Sequence, residues 1–237
     1  MQISISNSIG GGGGNLGSGG GSSFTNTKSI LLDGVDDYVD TATIDIGSTN
    51  SISFWMKRST LANGVVLGDV NAKSKYALWL DTFNNINFRL GNNDLGRLTL
   101  NSPLFSDGNW HHHCLSRNGI AVNYYIDAVL QTNIIANTLN AAAGTTSTIQ
   151  KIGSRADLAL PLNGSLDEVA LFNTNLSASD VTAIYGSGVP TSLASYNPIS
   201  WWRCGDGDTS PTLTDNGSGG NNGTMTNFST FSTNVPT

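Results

Sequence analysis

The sequence predicts an all-β protein, an antiparallel sandwich with one short helix, and three observations carry that prediction. Charged residues make up only 12% of the 237 residues and hydrophobic ones 38%, a balance that suits short strands joined by many turns. Segments alternating apolar and polar residues recur from residue 29 onward, separated by clusters of Gly, Asn, Asp and Ser. A single stretch departs from that alternation for a helical spacing.

The elements follow in order. "SILLDGVDDYVD" is a strand, a tight Asp-Gly turn and a second strand, and "SISFWMKRS" puts Ile52, Phe54 and Met56 on one face. "GVVLGDV", "KYALWLD", "INFRLG" and "RLTLNS" come at the short spacing of an antiparallel meander. "NWHHHCLSR" and "AVNYYIDAVLQTN" form hairpin arms with a turn near Asp127-Ala128, and "TIQKIGSRA" and "GSLDEVALFNT" supply two more strands. The helix is "LSASDVTAIYGSG": Ser177 is the N-cap, Asp180 completes a capping box, Val181, Ile184 and Tyr185 form the apolar stripe, and Gly186 stops it. It is too short to stand alone, so it must dock on a sheet.

Both ends are unusual. Residues 1–28 join an Ile-alternating start (Ile3, Ile5, Ile9) to a Gly/Ser-rich tract, which reads as a sticky strand on a flexible linker. Such an arm can add a strand to the sheet edge of a partner, another copy or a different protein. The sandwich itself is expected over 29–187, a linker over 188–198, and a last segment over 199–237 that looks like the opening of a β-domain.

Net charge is −6 and Lys57-Arg58 is the only adjacent basic pair, which argues against a nucleic-acid surface. Cys114 and Cys204 match no zinc or redox spacing and are expected as buried thiols, with a disulfide left open. The start "MQISISNSI" lacks a basic, apolar signal pattern, and no run approaches the roughly 20 apolar residues of a membrane span. Synthesis in a cytoplasm is therefore expected.

"LLDGVDDYVD", "ISFWMK", "DGNWHHHCLSRNG", "YYIDAVLQ", "KIGSR" and "LNGSLDEVALFNTNLSASDV" occur in an order that resembles the concanavalin A-like jelly rolls of the laminin-G-like family, over about residues 29 to 187. Ala128 stands where that family often has glycine, and His113 and Cys114 replace small aliphatic residues. The resemblance also implies that a segment like "SWWRCGDGDTSPTLTDNGSGGNNGTM" belongs before the first strand. Here it comes last, so a permuted sandwich is expected, with Trp201 or Trp202 and Met225 in the core. The alternatives are completion of a neighbour's sheet and the start of a truncated second domain.

Several groups of residues carry candidate chemistry. Glu168 is the only glutamate; in a regular strand Asp167 would point to the opposite side, leaving no carboxylate pair for glycoside hydrolysis. His111 and His113 share one face of a strand and His112 takes the other, which favours packing over zinc. Asp33, Asp36 and Asp37 crowd one turn and Asp206, Asp208 and Asp215 another. The family resemblance implies Ca²⁺ for such oxygen-rich turns, while turn formation alone also explains them. Tyr76, Trp79 and Phe83 are candidate sugar-stacking aromatics, and loops 58 to 75 and 91 to 109 are expected to carry recognition.

The function expected is a non-enzymatic virion structural protein of a bacteriophage: a head decoration, spike or fibre subunit. It would anchor through residues 1–28, form a homo-oligomer or bind other virion proteins, and present a lectin-like sandwich on the virion surface. The resemblance supports that setting, because similar sandwiches occur as phage appendages. A free carbohydrate-binding or adhesion module and a glycan-active enzyme are the alternatives.

Overall fold

The computed structural model describes residues 24–69, 78–89, 96–139 and 148–237. Ile3, Ile5, Ile9 and Tyr76 lie outside the described residues. The chain runs through β1 (Ile30–Asp33), β2 (Tyr38–Asp45), β3 (Thr49–Lys57), β4 (Gly64–Gly68), β5 (Leu78–Leu80), β6 (Asn85–Arg89) and β7 (Arg97–Asn101). Next come β8 (Trp110–Asn118), β9 (Ala121–Ile126), β10 (Val129–Leu130), β11 (Ile134–Asn137), β12 (Thr148–Ile152) and the long β13 (Asn163–Phe172). After helix α1 (Ala178–Tyr185) follow β14 (Ser200–Trp202), β15 (Thr212–Leu213) and β16 (Gly223–Thr226).

These strands build two antiparallel sheets. A seven-stranded sheet has the order β1-β13-β3-β8-β9-β10, with β14 also paired to β13; a nine-stranded sheet has the order β11-β7-β6-β5-β4-β12-β2-β16-β15. Alternation along β3 sends Ile52, Phe54 and Met56 into the space between the sheets, where they pack in the main core with Leu115, Leu166 and Leu171. The β9–β10 hairpin turns on Asp127 and Ala128, at φ 50 and 63, joining paired Ile126 and Val129. Two successive left-handed residues suit the twist of a two-residue hairpin, so Ala128 adopts a conformation that a glycine would reach at lower cost.

The C-terminal segment joins both sheets of its own chain. Trp201 and Trp202 pair with Ala170 and Val169 on β13, and Met225 pairs with Val39 on β2. Trp202 is 0% exposed and Met225 4%, both in the main core. Trp201 faces the other way, into a second cluster on the outer face of the seven-stranded sheet. That cluster receives α1 through Val181 and Ile184. The helix carries the reciprocal Ser177–Asp180 capping box and a left-handed Gly186 at its end. Cys114 and Cys204 are free and buried, one in the outer cluster and one in the core. Among the described residues no helix is long and apolar enough to cross a membrane.

Candidate functional site

Strand register places Trp110, Lys57, Ser165 and Leu31 in one row across β8, β3, β13 and β1. Their sequence neighbours Met56, Leu166 and Ile30 face the core, so this row lies on the outer face. Three of its members, Leu31, Lys57 and Ser165, line a groove of about 330 Å³. Arg58, Ser59 and Gly108 come to it from the loops after β3 and before β8, and Asn163 from the start of β13. The far wall is the end of the chain, through Ser232 and Asn234.

Asn234 fixes that wall. Its Oδ1 accepts from Trp110 Nε1 at 2.8 Å and from Lys57 Nζ at 3.3 Å, while its backbone carbonyl accepts from Ser29 Oγ at 2.7 Å. Ser29 and Ser232 exchange two backbone hydrogen bonds, of 3.0 and 2.9 Å. The result is an open groove of hydroxyls and amides beside the half-buried Trp110 indole, a surface that can bond sugar hydroxyls and stack on a ring.

A second polar cluster lies further along the same face and is closed. Between Asp167 and Ala170 the pairing of β13 with β3 slips by one residue, and Glu168 takes φ 48. This bulge turns both acids outward, because Leu166 and Val169 on either side of them face the core. The expectation of opposite faces is thus corrected: it assumed an unbroken alternation. Asp167 is 0% exposed and Glu168 3%. Glu168 accepts from Trp201 Nε1 at 2.5 Å and from Arg203 Nε at 3.3 Å. Asp167 accepts from Asn26 Nδ2 at 2.9 Å and from the Glu168 backbone N–H at 2.8 Å. Burial, followed by the charge of Glu168, pushes the Asp167 carboxyl up to about 9. Burial raises Glu168 to about 7 against the opposing pull of Arg203. Such values would suit acid–base chemistry, but Phe24 stacks on Trp201 with ring centroids 6.2 Å apart and lies under the Arg203 guanidinium, 4.4 Å from its centroid. The pair is a buried clamp on the chain entering β1.

The third cluster is a turn. Ligand oxygens of Asp33, Asp36 and Asp37 lie within 4.8 Å of one another. Asp37 is buried and accepts from the Asp33 backbone N–H at 3.0 Å; burial leads in raising its pKa, and the charges of Asp33 and Asp36 add to the rise. Three converging carboxylates, one of them desolvated, fit a hard cation that takes oxygen ligands. They would hold Ca²⁺, with water completing its shell.

A family model described as the concanavalin A-like lectin/glucanases superfamily matches residues 33–182. The chain belongs to that superfamily. Among solved structures, a candidate carbohydrate-binding protein from Bacteroides ovatus superposes with a TM-score of 0.63 at 13% identity, over 90% of this chain and 62% of its own. A heptameric SAP-like pentraxin from Limulus polyphemus superposes with a TM-score of 0.52 at 12% identity, over 68% of this chain and 82% of its own. At these identities the likeness is one of fold. No curated protein matches the sequence.

Within this lectin/glucanase sandwich the residues singled out by sequence are dispersed. Trp79 is 7% exposed, on β5, with the Arg89 guanidinium 5.5 Å from its ring; Phe83 is 77% exposed, in the turn before β6. Asp206, Asp208 and Asp215 are not in the group formed by the Asp33 turn, and each accepts hydrogen bonds from other partners. Asp206 accepts from the Thr27 backbone and hydroxyl at 2.8 and 2.5 Å. Asp208 accepts from Gly205 and Thr214 N–H groups at 3.0 and 2.8 Å. Asp215 accepts from Trp201 and Asn221 N–H groups, both at 2.7 Å.

The histidines occupy three separate environments. His111 lies between Asp127 at 2.6 Å and Asp107 at 3.1 Å, and the Asp127 bond leads in raising its pKa. His112 Nε2 is 2.9 Å from Ser53 Oγ and burial pushes it down to about 4. His113 stacks on Phe54 and burial takes it to about 3. Sequence reasoning missed Ser165, Asn163, Ser232 and Asn234. Only the two loops flagged for recognition pointed toward the groove, through Arg58, Ser59 and Gly108.

Proposed function

We propose that this chain is a non-enzymatic attachment module that binds glycans in the outer-face groove, as a structural subunit on the surface of a bacteriophage virion. The observation that carries the glycan reading is the groove: hydroxyl and amide groups from the sheet and the chain end, beside the half-buried Trp110. The sealed state of Asp167 and Glu168 supports a binding role over hydrolysis, since a glycosidic bond has no route between them. The sequence character of residues 1–28 and the family resemblance of the tail support the virion setting, in which the arm joins the module to copies of itself or to other virion proteins. Ca²⁺ at Asp33, Asp36 and Asp37 would stiffen the rim next to the groove, since Asp33 pairs in register with Asn163.

The test is a glycan array probed with the full chain and with Trp110→Ala and Asn234→Ala. Binding lost in both variants at unchanged thermal stability is the expected result. Release of sugar from any bound glycan, or binding that both variants retain, would overturn the proposal. Co-purification with particles in fixed copy number separates the virion setting from a free adhesion module.

A further inference from the structure

We infer that the groove selects an acidic sugar, a glycan unit bearing a carboxylate or a sulfate, over a neutral one; this rests on the glycan-binding reading above. The chain carries 17 acidic residues against 11 basic ones, yet the groove lining contains Lys57 and Arg58 and no carboxylate. Its polarity is opposite to that of the molecule. Acids flank it on two sides: Asp107, next to the lining Gly108, lies 3.1 Å from His111 Nε2, and the Asp33 turn lies beyond Asn163, whose Nδ2 donates to the Asp33 backbone carbonyl at 3.0 Å.

Among the described residues neither cation is neutralised by a direct ion pair. The Lys57 ammonium donates to Asn234 Oδ1, a neutral amide, at 3.3 Å. An ammonium has three N–H donors, so two remain for a ligand. Arg58 is 3% exposed and its Nη2 donates to the Ala62 carbonyl. Its Nε and Nη1 are buried with no hydrogen-bond partner among the described residues. Arg58 is therefore a positive charge beneath the groove that acts on a bound anion through space and not by direct hydrogen bonding. Burial lowers the Arg58 pKa to about 10 against the opposing charge of Asp81, which still leaves it charged at neutral pH. Gly164 makes room for this arrangement: a Cβ there would meet the Lys57 carbonyl at 2.9 Å and Arg58 Cβ at 3.4 Å. A neutral sugar can use the hydroxyls and amides but gives the Lys57 ammonium no counter-charge.

The experiment is calorimetric titration of the full chain with oligogalacturonate, with a sulfated heparin oligosaccharide and with a neutral xylo-oligosaccharide. Lys57→Gln and Ser59→Asp serve as variants, both at positions outside the core. We expect an acidic ligand to bind, to weaken as added salt shortens the screening length, and to lose roughly fivefold in affinity in Lys57→Gln, the scale of one part-exposed charge contact. Ser59→Asp should weaken it at least as much. The two acidic ligands separate carboxylate from sulfate. Equal binding of the neutral ligand, or indifference of the acidic one to salt and to both variants, overturns the selectivity and leaves glycan binding standing. Absence of binding by any glycan removes both.

Discussion

Replacing Asp167 by Asn should make the protein more stable in mild alkali and flatten the dependence of its stability on pH. Both acids of the bulge have raised pKa values, about 9 for Asp167 and about 7 for Glu168, while unfolded carboxylates titrate near 4. Between those limits the folded chain holds more protons than the unfolded one, so stability is greatest at the acid end of the window and falls as pH rises. Each extra proton retained corresponds to a slope of about 1.4 kcal/mol per pH unit. For a domain of this size that is roughly 3–5 °C of Tm per pH unit. Asn removes the Asp167 contribution and leaves that of Glu168, which burial raises, in place.

Hydrogen bonding tolerates the change. Asn26 Oδ1 is buried without a partner among the described residues. Turning the Asn26 amide over lets that oxygen accept from the new amide of Asp167→Asn, or from the protonated Asp167 carboxyl of the parent. Differential scanning fluorimetry of the two proteins from pH 5 to pH 9 is the assay, with Glu168→Gln as a contrasting variant. Glu168→Gln should flatten the curve in the same sense but from a lower pH, since Glu168 titrates at about 7 and Asp167 at about 9. A Tm curve of Asp167→Asn that runs parallel to the parent, or below it at pH 8, would refute a buried protonated carboxyl at this bulge.

Two further tests address the fold and the metal. Trp202→Ala should cost about 3–5 kcal/mol, the range for deleting a buried aromatic, and lower a single unfolding transition by roughly 6–20 °C; a separate second transition would mean that the C-terminal segment is not part of the sandwich. Ca²⁺ at about a hundred times its dissociation constant should add about 2.7 kcal/mol, reversed by chelator and abolished in Asp37→Asn; an unchanged Tm with metal would reduce Asp33, Asp36 and Asp37 to a turn.

Local signals were legible in the sequence, and long-range ones were not. The capping box at Ser177 and Asp180, the Asp127-Ala128 turn and the alternation of β3 are set by neighbours within a few residues, and the structure reproduces each. The bulge at Glu168 was invisible because a non-glycine residue at positive φ has no composition cue, and one extra residue reverses the facing of everything after it. The groove was equally hidden. Its row of Trp110, Lys57, Ser165 and Leu31 exists only through the register of strands drawn from distant stretches of chain. The Asp206, Asp208 and Asp215 loop was ambiguous in sequence for a different reason. Aspartates that cap backbone N–H groups in turns and aspartates that ligate Ca²⁺ occur in the same Gly- and Asn-rich text. What the structure adds is convergence: among the described residues the Asp33, Asp36 and Asp37 oxygens gather within 4.8 Å of one another.

The chain entering β1 and the C-terminal stretch meet on one face, which under the proposed function would link anchoring to recognition. The chain entering β1 is held from Thr25 to Lys28 by Arg203, Asp167 and Asp206, the Arg203 guanidinium donating to the Thr25 carbonyl. One residue later Ser29 pairs with Ser232 and bonds the Asn234 carbonyl, and Asn234 in turn holds Lys57 and Trp110 at the groove. The stretch from Thr25 to Ser29 therefore runs from the clamp to the groove wall tied down by hydrogen bonds throughout, with no loose linker between them. The sequence, with an arm at one end and a strand-rich tail at the other, gives no hint of this contact, because Ser29 and Ser232 stand at opposite ends of the text. A partner gripping the arm would thus bear on a face whose groove wall is already fixed, so the arm can take load without reshaping the site that faces the ligand.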